Sequence, residues 1–364
     1  MTKSSASELA QLIDGLATKS GVVVVETLSD VALSRVRAAD ARQIIEFLEG
    51  LAWTFSLEDS SEAEHDPHGI GEDLEPYRLT ISKPLPEDSH LRFLTCVGFA
   101  QWLRGSASSA GKVEVCRASA TFETYGFVVA PWDSGERSRP SATLKSPRTL
   151  VRETTASRLV PEDIRPWLLQ ELSSLPWTDD VFATWAREAV VALTRSLGDE
   201  VNEMDAQLTF FGPPKVRLAA ADDRTFAAIG SEGFLTLQSS ARWVFENERE
   251  TETKHRLLSM ELGRSATGRT DVVAMVCEVL EQALEGARLT FQLGLEDLSR
   301  DTLKALADLR KTLGEEASKL ADATRQLATG VAGAVFLGLG LVVARLRADV
   351  PKAIILLLAA VLVA

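Results

Sequence analysis

The chain has 364 residues, 45% apolar and 25% charged, a globular composition with room for two domains besides a terminal anchor. Its net charge of −13 excludes a whole-surface attraction to phosphate backbones, so nucleic acid is not an indicated partner, although a local basic patch stays compatible with the sequence. Three widely spaced cysteines, Cys96, Cys116 and Cys277, form neither a C-x-x-C pair nor an even-numbered disulfide framework and fit a reducing compartment.

The first 21 residues lack the apolar core and small-residue cleavage site of a secretory signal, which predicts a body that folds in the cytoplasm. Leu9, Leu12, Ile13 and Leu16 predict a helix over residues 6–18; Ser20 and Gly21 end it before a short buried strand, Val22–Val25. Asp40 is the expected cap of a second helix whose apolar face is Ile44, Ile45, Leu48 and Leu51.

Residues 58–75 hold eight acidic residues and two histidines and read first as an exposed loop. The sharper reading is a metal site, since His65, His68, Asp66 and Glu72 offer mixed nitrogen and oxygen ligands. Little apolar sequence is present to hold such ligands rigid, which favours the solvated loop. Tyr77–Ser82 predicts a strand, Leu91–Leu103 a helix, and Val113–Ala130 one or two strands turning near Tyr125 and Gly126. A first α+β domain is thus expected over 1–130.

From 131 to 160 the composition shifts to Pro, Ser, Thr and Arg, with Arg137, Arg139, Lys145, Arg148, Arg152 and Arg158 outnumbering Asp133, Glu136 and Glu153. The stretch reads as a linker or long loop, an anion contact being the alternative. A second, mostly helical α+β domain is expected over 161–270. It opens on a short helix with Ile164, Trp167, Leu168 and Leu172, followed by a longer one capped by Thr178 and ending near Gly198. Two short strands flank Gly212-Pro213-Pro214, and a long helix is expected over Phe234–Leu262.

Glu252 and His255 form one E-x-x-H pair. A di-iron site needs two such pairs and further glutamates, so a salt-bridge role is the expectation. The stretch from Gly263 to Thr270 approximates a phosphate-binding loop, which makes Arg264, Gly268, Arg269 and Thr270 candidate anion ligands. Arginine stands in the lysine position and the preceding residues are helical in pattern, so a polar turn between helices is preferred. No G-x-S-x-G elbow and no G-x-G-x-x-G after a strand is present; the sequence designates no catalytic residue and no cofactor.

Asp271 is expected to cap a further helix, and residues 271–326 read as a helical, coiled-coil stalk. Leu306, Leu313, Leu320 and Leu327 recur every seven residues, with Leu309 and Ala323 three places after the first and third. From Leu327 to Ala344, 18 residues carry no ionisable side chain, about 27 Å of helix and enough for a transmembrane span. Within it Gly330, Ala334 and Gly338 are small residues four apart, suited to helix contact in lipid. Residues 350–364 read as the start of a second span, too short as it stands, which predicts that the natural chain continues.

The fold class expected is therefore α+β: two mixed soluble domains, a helical stalk and a C-terminal transmembrane helix or helices. The function expected is a membrane-anchored, self-associating sensor, effector or interaction protein with a cytoplasmic body, by architecture similar to bacterial membrane-acting defence effectors. The partners expected are the membrane and further copies of the chain, with other protein subunits as a further candidate. The alternatives are a membrane-bound metal-dependent hydrolase or nuclease using the His65/His68 loop, and a structural subunit of a larger membrane complex.

Overall fold

The computed structural model describes residues 2–86, 90–106, 111–135, 143–154, 158–202, 204, 206–346, 353, 356, 357 and 360. The chain begins with helix α1 (Thr2–Lys19), strands β1 (Val23–Glu26) and β2 (Asp30–Val36), helix α2 (Ala38–Leu51) and strands β3 (Phe55–Glu58) and β4 (Tyr77–Ser82). These four strands form an antiparallel sheet in the order β1-β2-β4-β3. One face takes the apolar stripes of α1 (Leu9, Ile13) and α2 (Ile44, Leu48), all fully buried, as the helical spacing requires. The second helix starts earlier than its sequence predicts. Arg37 is its N-cap and Asp40 sits in its first turn, because the Glu75 carboxylate takes the Ala38 N–H at 2.6 Å and does the capping from outside.

A second sheet follows: β5 (Leu91–Phe93), helix α3 (Cys96–Ser106), β6 (Gly111–Val115), β7 (Phe122–Glu123) and β8 (Phe127–Ala130), in the order β5-β6-β8-β7. Here the sequence expectation of one helix over Leu91–Leu103 is corrected. Residues 91–93 pair in parallel with β6, and the helix begins only at Cys96. Its start is fixed by two carboxylates. Asp14 accepts the N–H groups of Cys96 and Val97, and Glu26 those of Leu94 and Thr95, so the first turn has its acceptors in place. Gly98 is required by this arrangement, since a Cβ there would lie 2.1 Å from Glu26 Oε2.

The 131–160 stretch contributes β9 (Arg152–Glu153) and the buried side chains of Val151 and Val160. Between Arg165 and Trp167 only a single 3-10 turn forms, not the helix expected over 164–172. Pro166 and the buried Gln238 side chain, which bonds both the Leu169 N–H and the Trp167 carbonyl, hold this segment irregular. Helix α4 (Asp180–Leu197) is capped by Asp179, whose carboxylate accepts from Val181 and Phe182, rather than by Thr178. Strands β10 (Glu200–Asn202), β11 (Gln207–Phe210) and β12 (Val216–Ala219) complete a third sheet, β12-β11-β10-β9.

The long helix expected over Phe234–Leu262 is two helices, α5 (Thr225–Phe245) and α6 (Thr251–Ser265). Asn247 breaks them: its side chain accepts the Arg249 N–H and its carbonyl the Glu250 N–H and the Thr251 hydroxyl. Helix α7 (Val272–Glu278) is capped by Asp271 through the Ala274 N–H, as its sequence predicts. Helix α8 then runs from Leu280 to Leu346.

Two apolar cores result. One joins α1, α2 and the first sheet; the other runs from Phe93 to Ala287 and contains an aromatic group of Phe122, Phe182, Trp185 and Phe234. Residues 1–291 form one compact unit and residues 292–364 a second. The chain is thus a mixed α+β protein with three sheets among its described residues and a long C-terminal helix.

Candidate functional site

The acidic stretch does not gather its histidines around a common point. Asp66 caps a 3-10 turn at Pro67–Gly69 by accepting the His68 N–H at 2.9 Å, and the His65 ring lies 3.0 Å from the Asp66 carbonyl and edge-on to Tyr77. Glu72 starts a separate 3-10 turn, its carbonyl accepting from Glu75. Among the described residues no group of three or more His, Cys, Asp or Glu side chains is placed to hold a metal ion.

Glu252 and His255 face opposite environments. Glu252 is at the surface, 2.8 Å from Lys145, whereas His255 is buried within reach of the Asp199 charge. Burial holds the His255 imidazole below its ordinary pKa, against the pull of the Asp199 charge and of backbone hydrogen bonds at Gly198 and Ser196. The Ser259 hydroxyl bonds to the Asp199 carboxylate, which also accepts the Phe211 N–H at 2.5 Å. The serine therefore addresses the acid instead of the base. This arrangement ties α6 to the third sheet.

Gly263 lies inside α6, not in a loop. A Cβ on it would stand 2.5 Å from Gly212 Cα, so the two glycines allow the β11–β12 turn to pack directly on the helix. Arg264 pairs with Glu261, Arg269 with Glu278 at 2.7 Å, and the Thr270 carbonyl accepts the Ala219 N–H; Gly268, at φ +86°, makes the turn into α7.

On α8, Leu306, Leu313, Leu320 and Leu327 are 48, 62, 67 and 70% exposed. The same seven-residue frame continues through Ala334 to Leu341, and Gly330 falls three places after Leu327. This helix contains an 18-residue stretch of mean hydropathy 1.9, none of it buried, and is long and apolar enough to cross a membrane. Gly330 and Gly338 have nothing within 4 Å of an added Cβ. Most of residues 350–364, read above as the start of a second span, lie outside the described residues.

Among the described residues, cavities open on the body, and two of them share a wall. The larger, about 900 Å³, is lined by Arg104 on α3, Arg148, Arg158 and Arg165 from the irregular segments, and Arg195 and Glu188 on α4. Arg148 donates to the Val160 carbonyl and to Glu162, Arg165 to Asp163, and Arg104 to Glu188. The smaller, about 570 Å³, shares the Arg104–Glu188 wall and holds the buried Cys96 thiol. Burial and the adjacent Asp14 carboxylate push that thiol well up, so it is inert rather than nucleophilic.

Sequence reasoning finds Arg148 and Arg158 as part of a basic stretch and Trp167 as a core aromatic. Arg104, Arg165 and Arg195 carry no local signal, since the fold alone brings them to the same cavity. Comparison with protein-family models, with curated proteins and with solved structures finds no match for this chain.

Proposed function

We propose that this protein is a membrane-anchored, self-associating sensor or effector in which helix α8 is both the anchor and the contact between copies, and residues 1–291 are the soluble body. The reading rests on one observation: a leucine seam exposed at every heptad position runs, in unbroken frame, into an apolar stretch without an ionisable group. A lone helix in water gains nothing from such a seam, whereas a second copy supplies the holes into which the leucines pack. Inside lipid, where apolar burial gives no driving force, Gly330, Ala334 and Gly338 would let two backbones approach. The cysteines, all free and including the exposed Cys277, support a cytoplasmic body. The cavities give that body room for a small ligand.

The test is the mass of the full chain in detergent by size-exclusion chromatography with light scattering, together with flotation on lipid vesicles. The wild type is expected as an oligomer that floats. L313D/L320D should lose mass while keeping its tryptophan spectrum and its flotation, and G338L should weaken association in the membrane. An unchanged mass for L313D/L320D removes the self-association reading, and a chain that does not float removes the anchor.

A further inference from the structure

We propose that the larger cavity is a binding site for an organic phosphate of about nucleotide size, a reading independent of the anchor. Its walls carry five arginines, Arg104, Arg148, Arg158, Arg165 and Arg195, against three carboxylates, Glu162, Asp163 and Glu188. The lining residues alone thus carry two more positive than negative charges in a chain whose net charge is −13, with Asp223, 3.6 Å from Arg104, the nearest further carboxylate paired to that wall. Each of the carboxylates is already held by an arginine: Glu162 by Arg148 at 2.9 Å, Asp163 by Arg165 at 2.8 Å and Glu188 by Arg104 at 2.6 Å. The surplus is therefore on guanidinium groups. Arg158 has no hydrogen-bond or ion-pair partner among the described residues.

Trp167 supplies an independent observation. It lines the cavity, is only 5% exposed, and its indole N–H has no acceptor among the described residues. The groups around it are satisfied. Gln238 Nε2 donates to the Trp167 carbonyl at 3.0 Å, Trp185 Nε1 to the Pro166 carbonyl at 3.0 Å, and the Tyr125 N–H to the Leu168 carbonyl at 2.9 Å. Gly126 lies so close that a Cβ on it would stand 2.8 Å from the Pro166 nitrogen, which packs this wall against β8. The wall is therefore firmly packed, and it contains a buried donor, the Trp167 indole N–H, that ordering of the site around a ligand could still satisfy.

Arginine and tryptophan can only donate, so what the cavity calls for is acceptor oxygens carrying negative charge. The planar fork of arginine fits phosphate bidentately, and a phosphate ester of two or more charges matches the surplus where a single carboxylate would meet half of it. Leu103, Leu144, Leu159, Val160 and Val191 also line it, beside the hydroxyl residues Thr143 and Ser146, which favours a ligand with an organic body over an inorganic anion. A volume of about 900 Å³ lies at the upper end for small-molecule sites and accommodates a nucleotide.

The test is isothermal titration of the full chain in detergent micelles with ADP as the probe, and adenosine and pyrophosphate as its two halves. Saturable ADP binding is expected, with each half at least tenfold weaker. R158A, a surface change, should weaken ADP at least tenfold, and W167F, which keeps a ring in the wall but removes the N–H, severalfold. Thermal melts identify any variant that fails to fold, and the salt dependence of the wild type, falling as phosphate contacts are screened, gives a reading that needs no variant. Displacement of ADP by phosphatidylglycerol vesicles would trace the phosphate to a lipid headgroup, and no displacement to a soluble molecule; both support the phosphate site. Absence of saturable ADP binding overturns the proposal, as does binding unmoved by R158A and W167F, adenosine binding as tightly as ADP, or pyrophosphate binding as tightly as ADP.

Discussion

Replacing Lys83 by methionine tests whether one buried ion pair holds the two cores together. The side chains of Glu26, at the end of β1, and Lys83, just after β4, are 0 and 1% exposed, with Nζ 2.6 Å from Oε1. The pair is saturated. Glu26 Oε1 also accepts the Leu94 N–H, Oε2 accepts the Thr95 N–H and hydroxyl, and the ammonium spends its remaining protons on the carbonyls of Thr27 and Arg92. Methionine in place of Lys83 fills the volume of the stem but leaves Glu26 an uncompensated buried anion and two carbonyls without their donor. Removing one partner of a buried pair costs about 3–5 kcal/mol, and since Glu26 keeps three neutral donors we expect about 4 kcal/mol for K83M. All seven tryptophans lie between Trp53 and Trp243, so tryptophan fluorescence in urea reports on the body within the full chain. At a urea slope of about 3 kcal/mol per molar the midpoint should fall by more than about 1 M. A fall equivalent to less than about 1 kcal/mol would mean that water reaches the pair, and the argument from burial would be wrong. The consequence extends to the cavity, because the same carboxylate fixes the start of α3, whose other end supplies Leu103 and Arg104 to its wall.

Further outcomes are expected in the same assay. G263A gains about 0.8–1 kcal/mol of helix propensity but drives a Cβ to 2.5 Å from the Gly212 backbone, and with overpacking at about 1–3 kcal/mol the net change should be a loss of up to about 2 kcal/mol; a stabilised G263A would mean that the β11–β12 turn can move away. His255 titrates below its ordinary value when folded, so the unfolded chain binds the proton first, and stability should fall as pH drops below about 6.5; H255Q should flatten that part of the urea-midpoint profile, and an equally steep profile in the variant would assign the loss elsewhere. Glu114 is held down to about 2 by Lys112, Arg92 and His90 although burial opposes them, so its contribution, about 3 kcal/mol, is complete above about pH 4.5 and lost as pH falls toward 2; E114Q should remove that acid-side slope, and a slope left intact would refute the assignment.

Much of the fold is legible where an element has one wet face and one dry face. The stripes of α1 and α2, the strands around Gly212-Pro213-Pro214 and the Asp271 cap follow from spacing and turn chemistry. The misreadings share a cause: a polar side chain, distant in sequence or local, takes up backbone groups and so decides where an element begins or ends. Residues 91–103 have helical spacing throughout, yet Glu26 and Asp14 offer acceptors at Leu94–Val97, so three residues join a sheet and the helix starts late. Residues 234–262 are periodic without a Gly or Pro stop until Gly263, and the break comes from Asn247 folding its own side chain onto the backbone. At residues 164–172 the apolar spacing is real, but Gln238 on α5 takes up the backbone groups that a helix would need.

The two candidate sites differ in legibility for a related reason. The α8 seam is written in one stretch of sequence, because a helix that packs against a copy of itself repeats the same contact every seven residues. The arginine cavity is written in no stretch. Arg104 comes from the end of a helix, Arg148 and Arg158 from the basic segment, Arg165 from a 3-10 turn and Arg195 from the next helix, 91 positions after the first. Their charges, taken singly, are ordinary for a surface, and of their acid partners only Asp163 lies beside its arginine in sequence, Glu162 and Glu188 being 14 and 84 positions from theirs. What distinguishes them is an imbalance that exists only after folding: the three acids on the cavity wall are consumed one for one while five arginines line it, and a tryptophan that hydrophobic pattern assigns to the core has its one polar atom buried as a donor without an acceptor among the described residues. A buried group of that kind has a cost that packing does not remove, so a ligand with matching acceptors would bind partly by relieving it, and the affinity lost in W167F measures that relief directly.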